Sequence, residues 1–368
     1  MNILYIGLEA GNWVVNIANA LCEHGHTVTC FVQDYEKYDD SSSPELHKNL
    51  TVHEIPYEEI LNPGRFKDKH IDKIPKDIDI VFTTDIYTTK ISAYLGTQLK
   101  VPWTVMVIDV PTDILHADRT RRLLFQQFFE ILKHCPAVFF ILKVSRDEFY
   151  NFTGHMFPDD HVVPYAIPLP EKYYLSGVDI KGDYVISVCR LTSIKNCKII
   201  PQALGTLDTI KKYVCVGTDK GALKEIEYHC KKNDIELIRY ENISQEKKFE
   251  LIRDSSMLIY PQITPYIGGL SPFEAMHVGK FAVIPKTKSM MEQCEEHAMY
   301  FTNNDAATLA NTIAFCHSMK IGVTEEFKAN AARFVSAKIN LLRMGKSLST
   351  LLETVHRRSK RKGIFKMD

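Results

Sequence analysis

Short apolar runs alternate with helix-period segments along almost the whole chain, in two successive series. In the first, Asn2 to Ile6 ends at Gly7, and the next segment spaces Val14, Ile17, Ala18 and Leu21 as a helix does. That helix closes at Gly25, placed as a C′ glycine, and Thr27 to Val32 is the next run. Strand, helix and strand in this order predict a parallel sheet covered by its crossover helices. Further runs at Val52 to Ile55, Ile78 to Thr83, Trp103 to Ile108 and Ala137 to Leu142 extend the series, with helices expected over 88–99, 118–134 and 145–152. Asp39 to Pro44 reads as a polar loop, and Asn62 to Lys76 as irregular chain or a short helix. Val162-Val163 closes the series, and Pro164, Pro168 and Pro170 mark a linker.

The second series starts at Tyr184 to Val188 and runs through Tyr213 to Val216, Glu236 to Arg239, Met257 to Tyr260, Phe281 to Ile284 and Tyr300-Phe301, again with helices between. The chain therefore reads as α/β, with two doubly wound domains. At 368 residues two cores are expected. The expected boundaries are 1–165, 166–335, a helix over about 336–355 returning to the first domain, and a basic tail at 356–368. Ligands of such sheets bind beyond the carboxyl ends of the strands, so the cleft between the domains is the expected site.

Composition narrows the function classes. Lys+Arg and Asp+Glu are both 45, which gives no global pull toward nucleic acid. The nine cysteines are scattered, with no C-x-x-C pair and no Cys/His metal cluster, which fits a reducing compartment. The N-terminus lacks the charged flank of a signal peptide, and no apolar run approaches the roughly 18 to 20 residues that span a bilayer. A cytoplasmic protein is expected, with membrane association left open.

One stretch carries the strongest chemical signal. After the run ending at Tyr260 come Gly268 and Gly269, then Ser271-Pro272, which reads as an N-cap and first helical residue, with Glu274 in the first turn. A glycine loop entering a helix presents unpaired N–H groups and the positive end of the helix dipole to an anion. A carboxylate there can take sugar hydroxyls, or can merely stabilise its own helix. Arg190 and Lys195 follow the first strand of the second series. A guanidinium fork and a mobile ammonium suit a diphosphate whose negative charge grows as a nucleotide-sugar bond breaks. The alternative is that both are ordinary surface charges.

These features, in order, resemble the GT-B glycosyltransferases, and among them the retaining glycosyltransferase family four. The resemblance rests on Gly25-His26-Thr27-Val28 (G-H-x-V), Val188 to Lys195 (G-R-L-x-x-x-K), Cys215-Val216-Gly217 with Ser244 to Ser255, and residues 260–279 (E-G-x-G-x-x-x-x-E-A-M-x-x-G). It implies two Rossmann-like domains facing a central cleft. It further implies a retaining hexosyltransferase that moves a sugar from a UDP- or GDP-sugar without metal. By the same resemblance Arg190 and Lys195 stabilise the leaving diphosphate and Glu274 holds the ribose. Backbone groups of Gly268, Gly269 and Leu270 touch the diphosphate or donor sugar. Gly217, with the chain around Tyr240 to Ile243, lines the base pocket, and Gly7 and Gly11 bring the first domain's loop near the phosphates.

The chain also departs from the pattern. Tyr266 stands where the family has its first glutamate, and Ile108-Asp109 where it has His-Asp. Asp109, Asp113, His116 and Glu9 are substitute candidates for acceptor binding or base catalysis, or are helix caps. Two other readings follow: a catalytically inactive nucleotide-sugar-binding partner subunit, and a nucleotide-sugar epimerase on the same architecture. The acceptor stays open among lipid-linked, glycan, protein and small-molecule classes. Leu115 to Phe129 mixes arginines with aromatic residues, and 356–362 is a second basic cluster. Such segments can lie on a membrane surface, or be a core-facing helix with a solvated basic side and a disordered end.

Overall fold

Both apolar series form wholly parallel sheets, in a computed structural model that describes residues 1–7, 11–33, 44–108, 119–163, 166–264, 268–302 and 305–362. The chain divides into Met1–Pro168 with Asn340–Asp368, and Leu169–Ile339.

The first unit contains β1 (Asn2–Gly7), α1 (Gly11–Glu23), β2 (Thr27–Val32), β3 (Leu50–Glu54), α2 (Tyr57–Ile60), α3 (Pro63–His70), β4 (Ile80–Thr84) and α4 (Thr89–Leu99). β5 (Trp103–Val107), α5 (Arg119–Leu132), β6 (Ala137–Phe140), α6 (Lys143–Thr153) and β7 (Asp160–Val162) complete the series. The strand order is β3-β2-β1-β4-β5-β6-β7. Strands such as β1 and β4 read as near-continuous apolar runs because helices cover both faces of a parallel sheet. The charged segment after residue 62 contains a defined helix: the Asn62 side chain accepts from the Gly64 and Arg65 N–H groups, and Phe66 is buried.

The aromatic residues of α5 belong to the core. Phe125, Phe128 and Leu132 are buried, Leu124 and Phe129 pack against them, and Leu123 and Arg122 face solvent. The described part of this helix faces the core, as one of its two readings expected. No helix among the described residues is long and apolar enough to cross a membrane.

The last helix, α14 (Leu341–Lys362, counted after those of the second unit), packs on α1. Met344, Leu348, Leu352 and Val355 form its buried stripe. His26 bridges the N-terminal amine (Nδ1, 3.2 Å) and the Ser349 hydroxyl (Nε2, 2.7 Å), so the G-H-x-V motif has a structural role. Residues 356–362, expected as the start of a tail, continue the helix. There His356 Nδ1 meets the Asp79 carbonyl (2.9 Å), Arg358 donates to Asp159 (2.7 Å), and Ser359 is buried.

The second unit runs β8 (Val185–Val188), α7 (Ile199–Leu204), β9 (Lys212–Val216), α8 (Leu223–Lys232), β10 (Glu236–Tyr240), α9 (Gln245–Asp254), β11 (Met257–Ile259) and α10 (Ser271–Val278). β12 (Phe281–Pro285), α11 (Lys288–Cys294), β13 (Met299–Phe301), α12 (Ala306–Ser318) and α13 (Ile321–Lys338) follow. The order β10-β9-β8-β11-β12-β13 reverses direction between β8 and β11. At such a switch point the loops leaving the two strands turn to opposite faces and leave a crevice for ligand.

Candidate functional site

The loops after β8 and β11 meet at that switch point. Ile263 N–H donates to the Ile194 carbonyl (2.9 Å), tying the two loops together. The first loop forms a 3-10 turn over Ser193–Lys195, followed by Asn196 in the left-handed region (φ +50°), and this delays α7 to Ile199. The turn aims Lys195 at the second loop. Its Nζ donates to the Tyr260 hydroxyl (2.5 Å) and to Gln262 Oε1, and lies 4.8 Å from the Tyr260 ring centre. Tyr260 donates to Gln262 Oε1 (2.5 Å), and Gln262 Nε2 donates to Thr264. Tyr260 and Gln262 thus orient the Lys195 ammonium at the switch point. Arg190 is exposed and forms no ion pair among the described residues.

The glycine pair is explained by close approach. A Cβ on Gly268 would stand 1.9 Å from Gln293 Oε1, and one on Gly269 would stand 2.5 Å from the Tyr260 ring. Gly269 N–H, expected to face a diphosphate, donates to Gln293 Oε1 (3.2 Å). Among the described residues, Gln293 Nε2 and the Ser271 hydroxyl are buried beside this loop without hydrogen-bond partners. The helix starts one residue earlier than expected. Leu270, already in the α region, is the N-cap of α10, with Ser271 and Pro272 the first two helical residues. Phe273 N–H donates to the Leu270 carbonyl (2.9 Å), so the Ser271 side chain is not the cap.

Glu274 lies in the first turn of α10 and is buried, and Lys248 of α9 donates to its Oε1 (2.6 Å). Both side chains are nearly enclosed, at 10% and 14% exposure, so this is a desolvated ion pair. Glu274 Oε2 makes no hydrogen bond among the described residues.

Gly217 follows β9 with φ +146°, and its N–H donates to the Tyr240 carbonyl (2.9 Å). A Cβ there would stand 1.9 Å from the Cys189 carbonyl oxygen, so only glycine lets the β8 and β9 loops approach this closely.

The structure thus brings together Lys195 with the loop after β11, and Gly268, Gly269 and Leu270 with the start of α10. Gly11 opens α1 in the first unit. Glu9, Asp109, Asp113, His116 and Tyr266 lie outside the described residues. Sequence reasoning missed Lys248, Gln262 and Gln293 as members of the site. Gln262 lies in the quoted stretch, two residues after Tyr260. Lys248 and Gln293 carried no motif, because their partners are 26 and 24 residues away.

Residues 176–334, nearly all of the second unit, match the family model "Glycosyl transferases group 1". That region resembles the group 1 glycosyl transferases. No curated protein sequence matches the chain at a significant level. Solved structures are similar over the full length. Sucrose-phosphate synthase from Thermosynechococcus elongatus superposes with a TM-score of 0.79 at 15% identity, covering 98% of this chain and 100% of that one. HepE of Anabaena, in complex with UDP and glucose, gives 0.75 at 15% identity, covering 96% and 100%. A UDP-forming trehalose-phosphate synthase from Burkholderia xenovorans gives 0.72 at 12% identity, covering 96% and 99%. The fold is GT-B, as the sequence resemblance implied. Within the matched region, the polar network at the switch point and the nearly enclosed Lys248–Glu274 pair occupy the edge where a doubly wound sheet binds ligand.

Proposed function

We propose that this chain is a glycosyltransferase that moves a sugar from a nucleoside diphosphate donor, held by the matched region, to an acceptor. The observation that carries the reading is Lys195. Its ammonium is held by Tyr260 and Gln262 at the switch point of the sheet, the edge where a doubly wound sheet binds ligand. Arg190, five residues earlier and exposed, supplies a second cation for the same diphosphate. Leu270 and the first turn of α10 add the positive end of a helix, and Glu274 Oε2 takes a ribose hydroxyl. UDP is favoured over GDP as the carrier, because HepE and the trehalose-phosphate synthase are described with UDP.

In the proposed step the bond from the sugar's anomeric carbon to the β-phosphate oxygen breaks, and a bond to the acceptor oxygen forms. The acceptor's proton passes to the departing diphosphate. Charge develops on that diphosphate, and the two cations stabilise it more in the transition state than before. Retention of anomeric configuration and activity without metal are part of the proposal. Neither requires a dedicated side-chain base or a metal site.

Titration calorimetry with UDP, GDP and their sugars tests donor binding, with UDP expected to bind. Nucleotide release, with and without a chelator, tests turnover, and the anomeric proton coupling of the product tests retention. Absence of binding to every nucleoside diphosphate would sink the reading. Binding without turnover would favour the inactive partner subunit, which Tyr266 in place of a family carboxylate keeps in play. A new sugar isomer from donor alone would identify an epimerase.

A further inference from the structure

Cys189 and Cys197 bracket the loop that carries Arg190 and Lys195. Their Sγ atoms are 3.5 Å apart. Cys189 is partly exposed, whereas Cys197 is 2% exposed and lies within 4.0 Å of the Ser187 hydroxyl. A small reagent therefore reaches Cys189 first. Contact with Cys189 and burial push the Cys197 thiol well above the ordinary thiol range, which suits it to resolve a mixed disulfide and not to start one.

A disulfide requires a sulfur–sulfur distance of about 2.05 Å, so bonding this pair draws the two sulfurs together by roughly 1.5 Å. The Cys189 side has little room to yield. Its N–H is held by the Val216 carbonyl (3.0 Å), and its carbonyl oxygen packs against Gly217, where even a Cβ would be 1.9 Å away. The Cys197 side is joined to Lys195 through Asn196, which holds a left-handed turn at φ +50°. Movement therefore falls on the segment that aims Lys195 at Tyr260 and Gln262.

We propose that Cys189 and Cys197 form a reversible disulfide that displaces Lys195 from Tyr260 and Gln262. The oxidant class is a low-molecular-weight disulfide such as oxidised glutathione. The Cys189 thiolate attacks one of its sulfurs, breaking that S–S bond, releasing one thiolate and forming a mixed disulfide. Cys197 then gives up its proton to solvent and attacks Cys189 Sγ, expelling the second thiolate. Two protein thiols and one disulfide become one protein disulfide and two free thiols, and excess dithiothreitol reverses the exchange. The consequence for function, loss of donor binding on oxidation, rests on the reading of this loop as the donor site.

The full chain, treated with oxidised glutathione and mapped by mass spectrometry without reduction, is expected to give a linked peptide pair containing Cys189 and Cys197. Amide hydrogen exchange over 190–196 is expected to rise at least threefold in the oxidised form, and both changes to reverse with dithiothreitol. UDP affinity, measured by calorimetry, is expected to fall tenfold or more on oxidation. Cys189→Ser and Cys197→Ser are each expected to abolish the response. Should a variant fail to fold, the reduced and oxidised wild type still decide the matter. Absence of the linked peptide, unchanged exchange over 190–196, or an affinity indifferent to oxidation would overturn the proposal. If the reduced chain binds no UDP, the donor-site reading fails, and the linkage and exchange data alone decide the switch.

Discussion

The two ends of the second sheet use lysines in opposite ways, partly buried at one end and fully buried at the other. At the carboxyl end, Lys195 reaches over the switch point and meets a hydroxyl and an amide oxygen from the β11 loop. Lys248 there is paired with the buried Glu274 carboxylate. At the amino end, just before β12, Lys280 is 1% exposed and donates to the Ile180 carbonyl (2.6 Å). Lys328 of α13 donates to the Val178 carbonyl (3.2 Å) and lies over the Phe281 ring. That second pair straps the segment 178–180 to the base of the sheet, with no carboxylate among the described residues in direct contact. Burial alone therefore does not mark a functional lysine. What distinguishes the two regions is which end of the strands they occupy, since ligands of a doubly wound sheet bind beyond the carboxyl ends.

The sharpest way to break this comparison is Lys248→Met. It leaves the Glu274 carboxylate buried and unpaired, which should cost about 3 to 5 kcal/mol of stability in denaturant unfolding. Adding Glu274→Leu should restore most of that loss without restoring nucleotide binding. If the single variant is as stable as wild type, the pair is not desolvated in solution.

Lys195→Ala is next. Turnover should fall by about 10²- to 10³-fold, the scale of removing one preorganised charge donor, while the melting temperature stays near that of wild type. Equal turnover would remove Lys195 from the site.

The remaining contrast lies at the amino end. Burial, then repulsion from Lys328, lowers Lys280 from 10.5 to about 7, with Asp254 opposing and Arg253 reinforcing the shift. Above pH 7 the folded chain gives up this proton while the unfolded chain keeps it toward pH 10.5. The unfolded state then binds more protons, so the lysine's penalty is complete below about pH 7 and is relieved as pH rises through that window. The stability difference between wild type and Lys280→Met should therefore shift in favour of wild type from pH 7 to 10, in thermal melts at matched ionic strength. Taking the difference cancels the titrating thiols and tyrosines common to both proteins. A flat difference would mean that Lys280 is solvated. Turnover should be unaffected by this substitution.

Much of the fold was legible in the sequence because its signals are local. Continuous apolar runs such as Ile80–Thr84 specify strands buried on both faces, and helical spacing in α1 specifies the crossover. The exact helix starts were less legible. Ser271 has the chemistry of an N-cap, yet the chain enters the α region at Leu270, and that choice is made by the packing of Gly269 on Tyr260. Likewise the basic cluster at 356–362 has the composition of a tail, but Asp79 and Asp159, far away in sequence, hold it as helix.

The sequence by itself determined the two βα series and placed Arg190, Lys195, Gly268, Gly269 and Glu274 on loops after strands or at a helix start. Those are properties of spacing, local conformation and side-chain chemistry, and they survive without knowledge of contacts. Tertiary structure alone decided what each of those residues touches. It gave Glu274 to Lys248, gave the Gly269 N–H to Gln293, steered Lys195 with Tyr260 and Gln262, and set Cys189 beside Cys197. The reason is that a parallel sheet brings strand ends together in an order different from the order of the chain. Here β8 lies beside β11, and the loops that follow them meet only once the sheet has formed.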